Sequence, residues 1–299
     1  MAAVTPELIK ELREKTNAGL LDCKKALTET NADMEAAVEW LRKKGLSKAA
    51  KVADKVAAEG TIALKVDGDK ATIVEINCET DFVAKNANFK AFESEVLEAL
   101  HGGNFSAIGD LKTGVVGGKK YEDLIADAIA KMGEKIDVRR FAKYQIKNGV
   151  IGGYLHSNSR VGVIVAVETA APIADFARDI AMHAAAMRPT YLNEAEIPAD
   201  VLAKEREIAM EQLKKEGKPE AMLEKILPGK IKRFVADVTL EGQAFVKDDK
   251  KSVAEALNAV AQARGASAKI VFFARFEVGE GLQKKSDDFA AEVAAQTKR

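Results

Sequence analysis

The chain has 299 residues, of which 47% are hydrophobic and 31% charged, a composition typical of folded globular proteins. This length exceeds what one hydrophobic core usually supports, which predicts two or more domains. Lysine plus arginine and aspartate plus glutamate both number 46. The zero net charge therefore removes the broad electrostatic attraction on which nonspecific nucleic-acid binding rests.

The two cysteines, Cys23 and Cys78, lie far apart in sequence and resemble neither a disulfide framework nor a metal site. The first residues lack the apolar stretch of a signal peptide, and no segment approaches the 18 or so apolar residues of a membrane span. We expect a cytoplasmic protein in a reducing compartment, without membrane contact.

The first 45 residues predict three short helices. Thr5 can cap the first, apolar residues at helical spacing mark a second over 20–27, and Asn31 or Asp33 can open the third. Gly45 is expected to end that helix. The Lys- and Ala-rich segment 46–59 is expected to connect this small bundle to the rest of the chain.

From residue 60 the hydrophobic period changes to two, which predicts a hairpin over 62–78 with its turn at 67–69. Helical patterns follow at 89–100 and 121–132, and then a strand in KIDVRRF. GVVGGKK at 114–120 lacks phosphate-loop spacing, and we interpret it as a flexible loop.

The same order of elements recurs after residue 145, and AKMGEKIDVRRF and QARGASAKIVFFARF share a similar pattern. This predicts an α+β fold whose core consists of two duplicated β-β-α-α-β units with antiparallel sheets. Residues 198–236 read as an inserted helical hairpin. The hairpin either buries its apolar stripe within itself or offers it to a second copy as a dimerisation element.

A short amphipathic helix is predicted at the end of the chain, after a hinge at Gly279-Glu280-Gly281. The predicted domains are therefore 1–55 for the N-terminal helices and linker, 56–145 for the first core unit, 146–187 with 237–279 for the second, 188–236 for the hairpin and 280–299 for the C-terminal module.

Catalytic motifs are missing from the sequence. His101, His156 and His183 show no metal-ligand spacing, and neither a nucleotide-binding loop nor a nucleophile elbow occurs. Cys23 lies within a predicted helix among apolar neighbours, with no base identified beside it. We expect a protein that is not an enzyme, that holds no cofactor or metal, and that acts through its surfaces. A rival reading is an RNA- or ribosome-binding module that uses the basic segment 42–55.

The stretch NCETDFVAKN at 77–86 lies where the hairpin ends and a helical pattern begins. Thr80 or Asp81 can cap the following helix with a side-chain oxygen. Phe82 either folds back to staple the turn or stands out as an anchor for another protein. Periodicity leaves both alternatives open.

TDFVAKN at 80–86 and TNAGLLDCKKAL at 16–27 closely resemble the two signature regions of bacterial elongation factor Ts. The likeness covers the whole chain, including the ending RFEVGEGLQKKSDDFAAEVAAQ. This resemblance implies a UBA-like N-terminal domain, a coiled-coil hairpin that dimerises some members, and a tail helix. It also implies a nucleotide-exchange factor for elongation factor Tu, the GTPase that delivers aminoacyl-tRNA to the ribosome.

The same resemblance assigns roles to residues. Thr80, Asp81, Phe82 and Val83 would form a wedge that enters the partner near its magnesium ion. A grip on the partner would come from other positions, namely Arg13, Leu20, Leu21, Met132, His156 and Phe289. Leu20-Leu21 stands where the family commonly has a Met pair, and Asn17 where it has Gly.

Overall fold

A computed structural model describes residues 3–16, 18–216 and 219–282. The fold mixes helices and antiparallel strands, as the α+β prediction requires. The chain divides into two compact units. Among the described residues, one unit contains those up to Thr61, Glu75–Arg140 and those from Val278 to Leu282, and the other contains those within Ile62–Val74 and Phe141–Glu277. The predicted domain boundaries stay a prediction.

The N-terminal residues form three helices, α1 (Pro6–Thr16), α2 (Leu20–Glu29) and α3 (Met34–Val52). Asp33, one of the two predicted caps, accepts a hydrogen bond from the Ala36 N–H at 2.9 Å, whereas Asn31 lies in a left-handed turn. The three helices share a small buried core of Leu12, Cys23, Ala26, Leu27 and Ala37.

The first sheet has the strand order β1-β2-β5. Its strands and the elements between them are β1 (Glu59–Asp67), β2 (Lys70–Cys78), α4 (Asp81–Ala84), α5 (Ala87–Gly102), α6 (Ile108–Thr113), β3 (Val115–Val116), β4 (Lys119–Lys120), α7 (Tyr121–Met132) and β5 (Asp137–Gln145). The predicted hairpin and both predicted helices are therefore confirmed. Helix α7 ends where predicted because Gly133 takes a left-handed conformation that stops it.

The expectation of a flexible loop at 114–120 was wrong. β3 and β4 pair as a tight antiparallel hairpin, joined by Gly117 and Gly118, which both have positive φ. Two central residues with positive φ give the turn whose twist matches paired strands, and glycine adopts that conformation without steric cost.

The prediction that Gly45 ends the third helix was also wrong, since α3 continues to Val52 and includes much of the expected linker. Gly45 is buried where α3 packs against α7. A Cβ atom at this position would lie 3.2 Å from the Ala126 carbonyl oxygen. Glycine here permits close approach of two helices, which outweighs its low helix propensity.

The second sheet has the order β10-β7-β6, and β7 pairs antiparallel with both neighbours. Its elements are β6 (Gly149–Leu155), β7 (Val161–Thr169), α8 (Ala174–Met187), α9 (Ala199–Lys215), α10 (Glu220–Val238), β8 (Ala244–Phe245), β9 (Asp248–Ser252), α11 (Val253–Gln262) and β10 (Ala268–Glu277). In each sheet the second strand of a hairpin is central. Descent of the two units from a duplication stays a prediction.

Helices α9 and α10 form the predicted hairpin. Ala209, Leu213 and Leu223 are buried between elements of this unit, whereas Ile208 and Met222 remain exposed. The hairpin therefore covers much of its own apolar stripe and leaves part of it to solvent. The predicted tail helix at 286–299 lies outside the described residues.

Candidate partner-binding site

The turn after β2 is built by side-chain capping, as the sequence predicts. Thr80 is the N-cap of α4, and its hydroxyl oxygen accepts a hydrogen bond from the Val83 N–H at 3.4 Å. After this single helical turn, Asn86 caps α5 by accepting from the Asn88 N–H at 2.8 Å. Two successive caps satisfy backbone donors that would otherwise lack partners.

Phe82 projects from this turn with 81% of its surface exposed. Of the two alternatives that periodicity left open, the stapled ring is therefore excluded for this conformation. Val83 is half-buried and Ala84 is buried, so the short helix is anchored by the residues that follow the ring. An aromatic side chain this exposed gains nothing from folding and is available for contact with another molecule.

Asp81, beside the ring, forms an exposed ion pair with Lys85, one helical turn later. The Lys85 Nζ atom lies 2.7 Å from the carboxylate. The hydrogen bond from Lys85 lowers the pKa of Asp81 below its ordinary value. Asp81 is thus an anion at neutral pH, and its ion-pair partner Lys85 is exposed to water.

The base of the turn contacts a residue that sequence reasoning missed. The Glu134 carboxylate accepts hydrogen bonds from the Glu79 and Thr80 N–H groups and from the Thr80 hydroxyl. Glu134 lies in the connection between α7 and β5, 54 residues from Thr80. The sequence offered one signal for Glu134, namely its position two residues after Met132, which is a predicted site residue.

The remaining predicted site residues of the first unit lie on its surface or near this connection. Arg13 is exposed on α1, and Leu20 and Leu21 open α2 with exposed side chains, Leu21 at 79%. Met132 is the last residue of α7 and is half-buried. The buried residues of α2 are Cys23, Ala26 and Leu27, and the exposed Leu20 and Leu21 do not belong to the core that these residues form.

His156 belongs to the second unit, just after β6, and is exposed. Its Nδ1 atom lies 3.0 Å from the Tyr154 hydroxyl oxygen, and its backbone N–H donates to the Val161 carbonyl at 2.9 Å. Phe289 and Asn17 lie outside the described residues.

Neither cysteine has the environment of a nucleophile. Cys78 is fully buried and donates its S–H to the Thr80 carbonyl. Burial raises the pKa of the Cys78 thiol to about 12, and burial also raises the pKa of Cys23. A thiol that stays protonated is a poor nucleophile and metal ligand.

The described residues also offer no metal site, since no three of their His, Cys, Asp and Glu side chains cluster to hold an ion. None of the helices in these residues combines the length and apolar character needed to cross a membrane. The candidate site therefore presents an exposed apolar ring and an anion on a capped turn, and both groups are suited to binding another molecule.

Most basic side chains of the segment 42–55 form ion pairs with carboxylates of the first unit. Arg42 forms a two-pronged ion pair with Asp123, and Lys44 and Lys48 both reach Asp22. Lys43 pairs with Glu39, and Lys55 with Glu79. Neutralised side chains attract phosphate groups weakly, which disfavours this segment as an RNA-binding surface.

Comparison with known proteins gives a consistent set of relatives. A family model described as Elongation factor TS matches residues 79–280. The chain is 53% identical to elongation factor Ts of a Nitratiruptor species, over 99% of this chain and 100% of the relative. It is 46% identical to that of Thioalkalivibrio sulfidiphilus, over 99% of both chains. The matched segment includes the capped turn and Glu134.

Proposed function

The chain belongs to the elongation factor Ts family, and from that premise we infer that it is a translation elongation factor that promotes release of GDP from elongation factor Tu. The observation that carries the inference is the exposed Phe82 ring on its capped turn. A rigid aromatic side chain can fill a pocket of a partner at a low cost in conformational entropy.

Exchange couples two binding equilibria, because the exchange factor and the nucleotide both bind the same GTPase. A GTPase holds its nucleotide through backbone amides and a lysine around the phosphates and through a magnesium ion. An exchange protein that prefers the nucleotide-free GTPase weakens nucleotide binding to that GTPase. By linkage, bound nucleotide weakens the affinity of the GTPase for the exchange protein by the same ratio. Each tenfold change corresponds to about 1.4 kcal/mol, which a buried aromatic anchor can supply.

The wedge consists of Thr80, Asp81, Phe82 and Val83. Phe82 enters an apolar pocket near the partner's magnesium ion and displaces elements that support the ion and the phosphates. Asp81 competes for hydrogen-bond donors there. Its ion pair with Lys85 is exposed, and such pairs are worth about 1 kcal/mol or less, so donors of the partner can replace Lys85. Thr80 and Val83 hold the turn.

The grip holds the factor on the GTPase while the nucleotide leaves. Exposed apolar and charged positions of the first unit contribute to it, namely Arg13, Leu20, Leu21 and Met132. His156 contributes from the second unit, and Phe289 from the C-terminal segment. Leu20 and Leu21 support this role because their exposure serves no purpose in the core of the bundle.

The exposed part of the apolar stripe on α9 and α10, including Ile208 and Met222, is the surface through which two copies would form a homodimer. The chain itself performs no covalent chemistry and needs no cofactor. Its work in translation places it in the cytoplasm, where it meets both GDP-bound and nucleotide-free elongation factor Tu.

The direct test measures release of a fluorescent GDP from elongation factor Tu with and without this protein. The wild type should accelerate release, and Phe82→Ala and Asp81→Ala should each reduce the acceleration. Val115→Ala is a matched control, because Val115 is also an exposed apolar residue of the first unit, at 59%, outside the wedge.

The outcomes separate the parts of the proposal. A wild-type protein that leaves the release rate unchanged contradicts the assignment as an exchange factor. If the wild type accelerates release and both wedge variants match it, the wedge is wrong while the assignment as an exchange factor stands.

A further inference from the structure

A single carboxylate organises the base of the exposed turn. Oε2 of Glu134 accepts hydrogen bonds from the Glu79 N–H at 3.1 Å and the Thr80 N–H at 2.9 Å. Its Oε1 atom accepts from the Thr80 hydroxyl at 2.7 Å. A carboxylate that accepts three hydrogen bonds from two consecutive residues fixes both the position and the orientation of that segment.

The contact is reciprocal, because Glu79 in turn holds the segment that carries Glu134. The Glu79 carboxylate accepts from the Lys135 N–H at 2.8 Å and from the Lys55 Nζ at 2.8 Å. The Lys135 side chain donates to the carbonyls of Ala53 and Lys55, at 2.6 and 2.7 Å. Three segments that are distant in sequence are thus tied together beneath the turn.

The turn needs this external support. Helix α4 has four residues, and a helix this short is not stable by itself. The exposed Phe82 ring adds no packing on the protein side. Ala84 anchors the end of this helix, and contacts at residues 79 and 80 fix its start, where Asp81 and Phe82 project.

The Thr80 hydroxyl links the carboxylate to the helix. It donates its hydrogen to Glu134 and accepts from the Val83 N–H. Because a hydroxyl has one hydrogen, donation to Glu134 turns its lone pairs toward the helix N-terminus. Loss of the carboxylate would free this hydroxyl to rotate and would weaken the cap together with the backbone contacts.

We propose that Glu134 is the positioning residue of the exchange wedge, and that its carboxylate holds residues 79 and 80 so that Asp81 and Phe82 are oriented before the partner arrives. The proposal rests on the proposed function of the wedge. A turn that is already ordered before binding loses little conformational entropy when the partner binds, so more of the interaction free energy appears as binding. Glu134 would thus act on the rate of nucleotide release without touching the partner.

The test compares Glu134→Gln with wild type in the fluorescent GDP release assay, over a range of concentrations of this protein. The Gln side chain has the same shape but keeps one acceptor oxygen and no charge. We expect the maximal release rate to fall roughly tenfold to a hundredfold, the range for a lost charge-assisted hydrogen bond. The half-saturating concentration should change less, because the grip is untouched. Glu122→Gln, on exposed α7 surface, is the matched control.

A double-mutant cycle shows whether Glu134 acts through the ring. If it does, Glu134→Gln should slow release much less in a Phe82→Ala background than in the wild type, because only the orientation of Asp81 is then left to lose. Hydrogen exchange of the Glu79 and Thr80 amides should become faster in Glu134→Gln, while amides of β7 keep their protection. A multiplicative loss in the double variant would instead indicate that Glu134 acts independently of the wedge, and would overturn the proposal.

The remaining outcomes are distinct from failure of the proposed function. If the wild type accelerates release, Phe82→Ala is slow and Glu134→Gln matches the wild type, only the positioning role is wrong. If the wild type does not accelerate release, or Phe82→Ala matches it, the wedge falls and the positioning role falls with it.

Discussion

Glu75 and Arg140 form a close ion pair, with the Glu75 Oε2 atom 2.6 Å from Arg140 Nε and the Glu75 side chain fully buried. Arg139 Nη1 approaches the other carboxylate oxygen at 3.0 Å. The Gly279 N–H donates to the same oxygen at 2.8 Å, and Arg140 also pairs with Glu280 at 2.9 Å. One buried carboxylate thus joins β2, β5 and the start of the C-terminal segment.

Replacing this carboxylate by an amide should destabilise the protein strongly. We expect Glu75→Gln to lower the free energy of unfolding by about 3 kcal/mol, because it leaves two arginines without their buried counter-ion. Urea unfolding followed by circular dichroism measures this. Glu280→Gln is the control, since its side chain is 47% exposed and exposed pairs contribute about 1 kcal/mol or less. Equal losses in both variants would contradict a special role for Glu75.

Phe82→Ala should separate stability from activity. The ring is 81% exposed, so its removal should change the free energy of unfolding by less than about 0.5 kcal/mol. The same change should slow GDP release by about 30-fold or more, the loss expected for an interface anchor worth about 2 kcal/mol. Thermal unfolding and the release assay on one preparation give both numbers. A large loss of stability would show that the ring supports the fold.

Stability should fall on mild acidification because of His183, a buried side chain of α8. Its Nδ1 accepts from the Val246 N–H at 3.2 Å, and its Nε2 lies 3.0 Å from the Gln243 Oε1, which fixes a neutral ring with its hydrogen on Nε2. Burial lowers the pKa of His183 from its ordinary value of 6.5.

The unfolded chain therefore binds a proton more readily than the native state does. Stability contributed by neutral His183 is present above pH 6.5 and is lost as the pH falls from that value through the native pKa. Urea unfolding at about pH 7.5 and about pH 5.5 should show a larger decrease for the wild type than for His183→Gln, which cannot titrate there. Equal decreases would mean that other groups cause the pH dependence.

Cys78 should be unreactive in the folded protein. Its thiol is buried beneath the turn, with a pKa raised to about 12, so about one molecule in ten thousand carries the thiolate at about pH 8. In a Cys23→Ala background, Cys78 is the single thiol and should react with a chromogenic disulfide reagent only when denaturant is added. Rapid reaction without denaturant would mean that the turn opens readily.

The Cys23→Ala variant itself should keep its exchange activity. Cys23 is a small buried residue whose S–H lies 3.7 Å from the Ala18 carbonyl oxygen, and alanine fills a similar apolar position. The GDP release assay provides the measurement. Loss of activity in a folded Cys23→Ala protein would contradict the expectation that this thiol takes no part in the function.

Two glycines show how far local sequence reaches in this fold. Helix α7 ends at Met132 as predicted, and the left-handed Gly133 after it satisfies the last carbonyls locally. Gly45 is also a glycine that follows a helical pattern, yet α3 continues through it. The difference is the close contact with α7 near Ala126, which periodicity within α3 does not encode.

The sequence by itself determined many elements of this protein, including the hairpin and α7, and limited the cap of the exposed turn to Thr80 or Asp81, because periodicity, turn residues and capping act over a few neighbouring residues. Its signature stretches also pointed to the family. Only the tertiary structure decided that Phe82 stands out, that Glu134 holds the turn and that Glu75 binds two arginines. These contacts join residues 54 to 65 positions apart, and their geometry depends on how the folded segments pack.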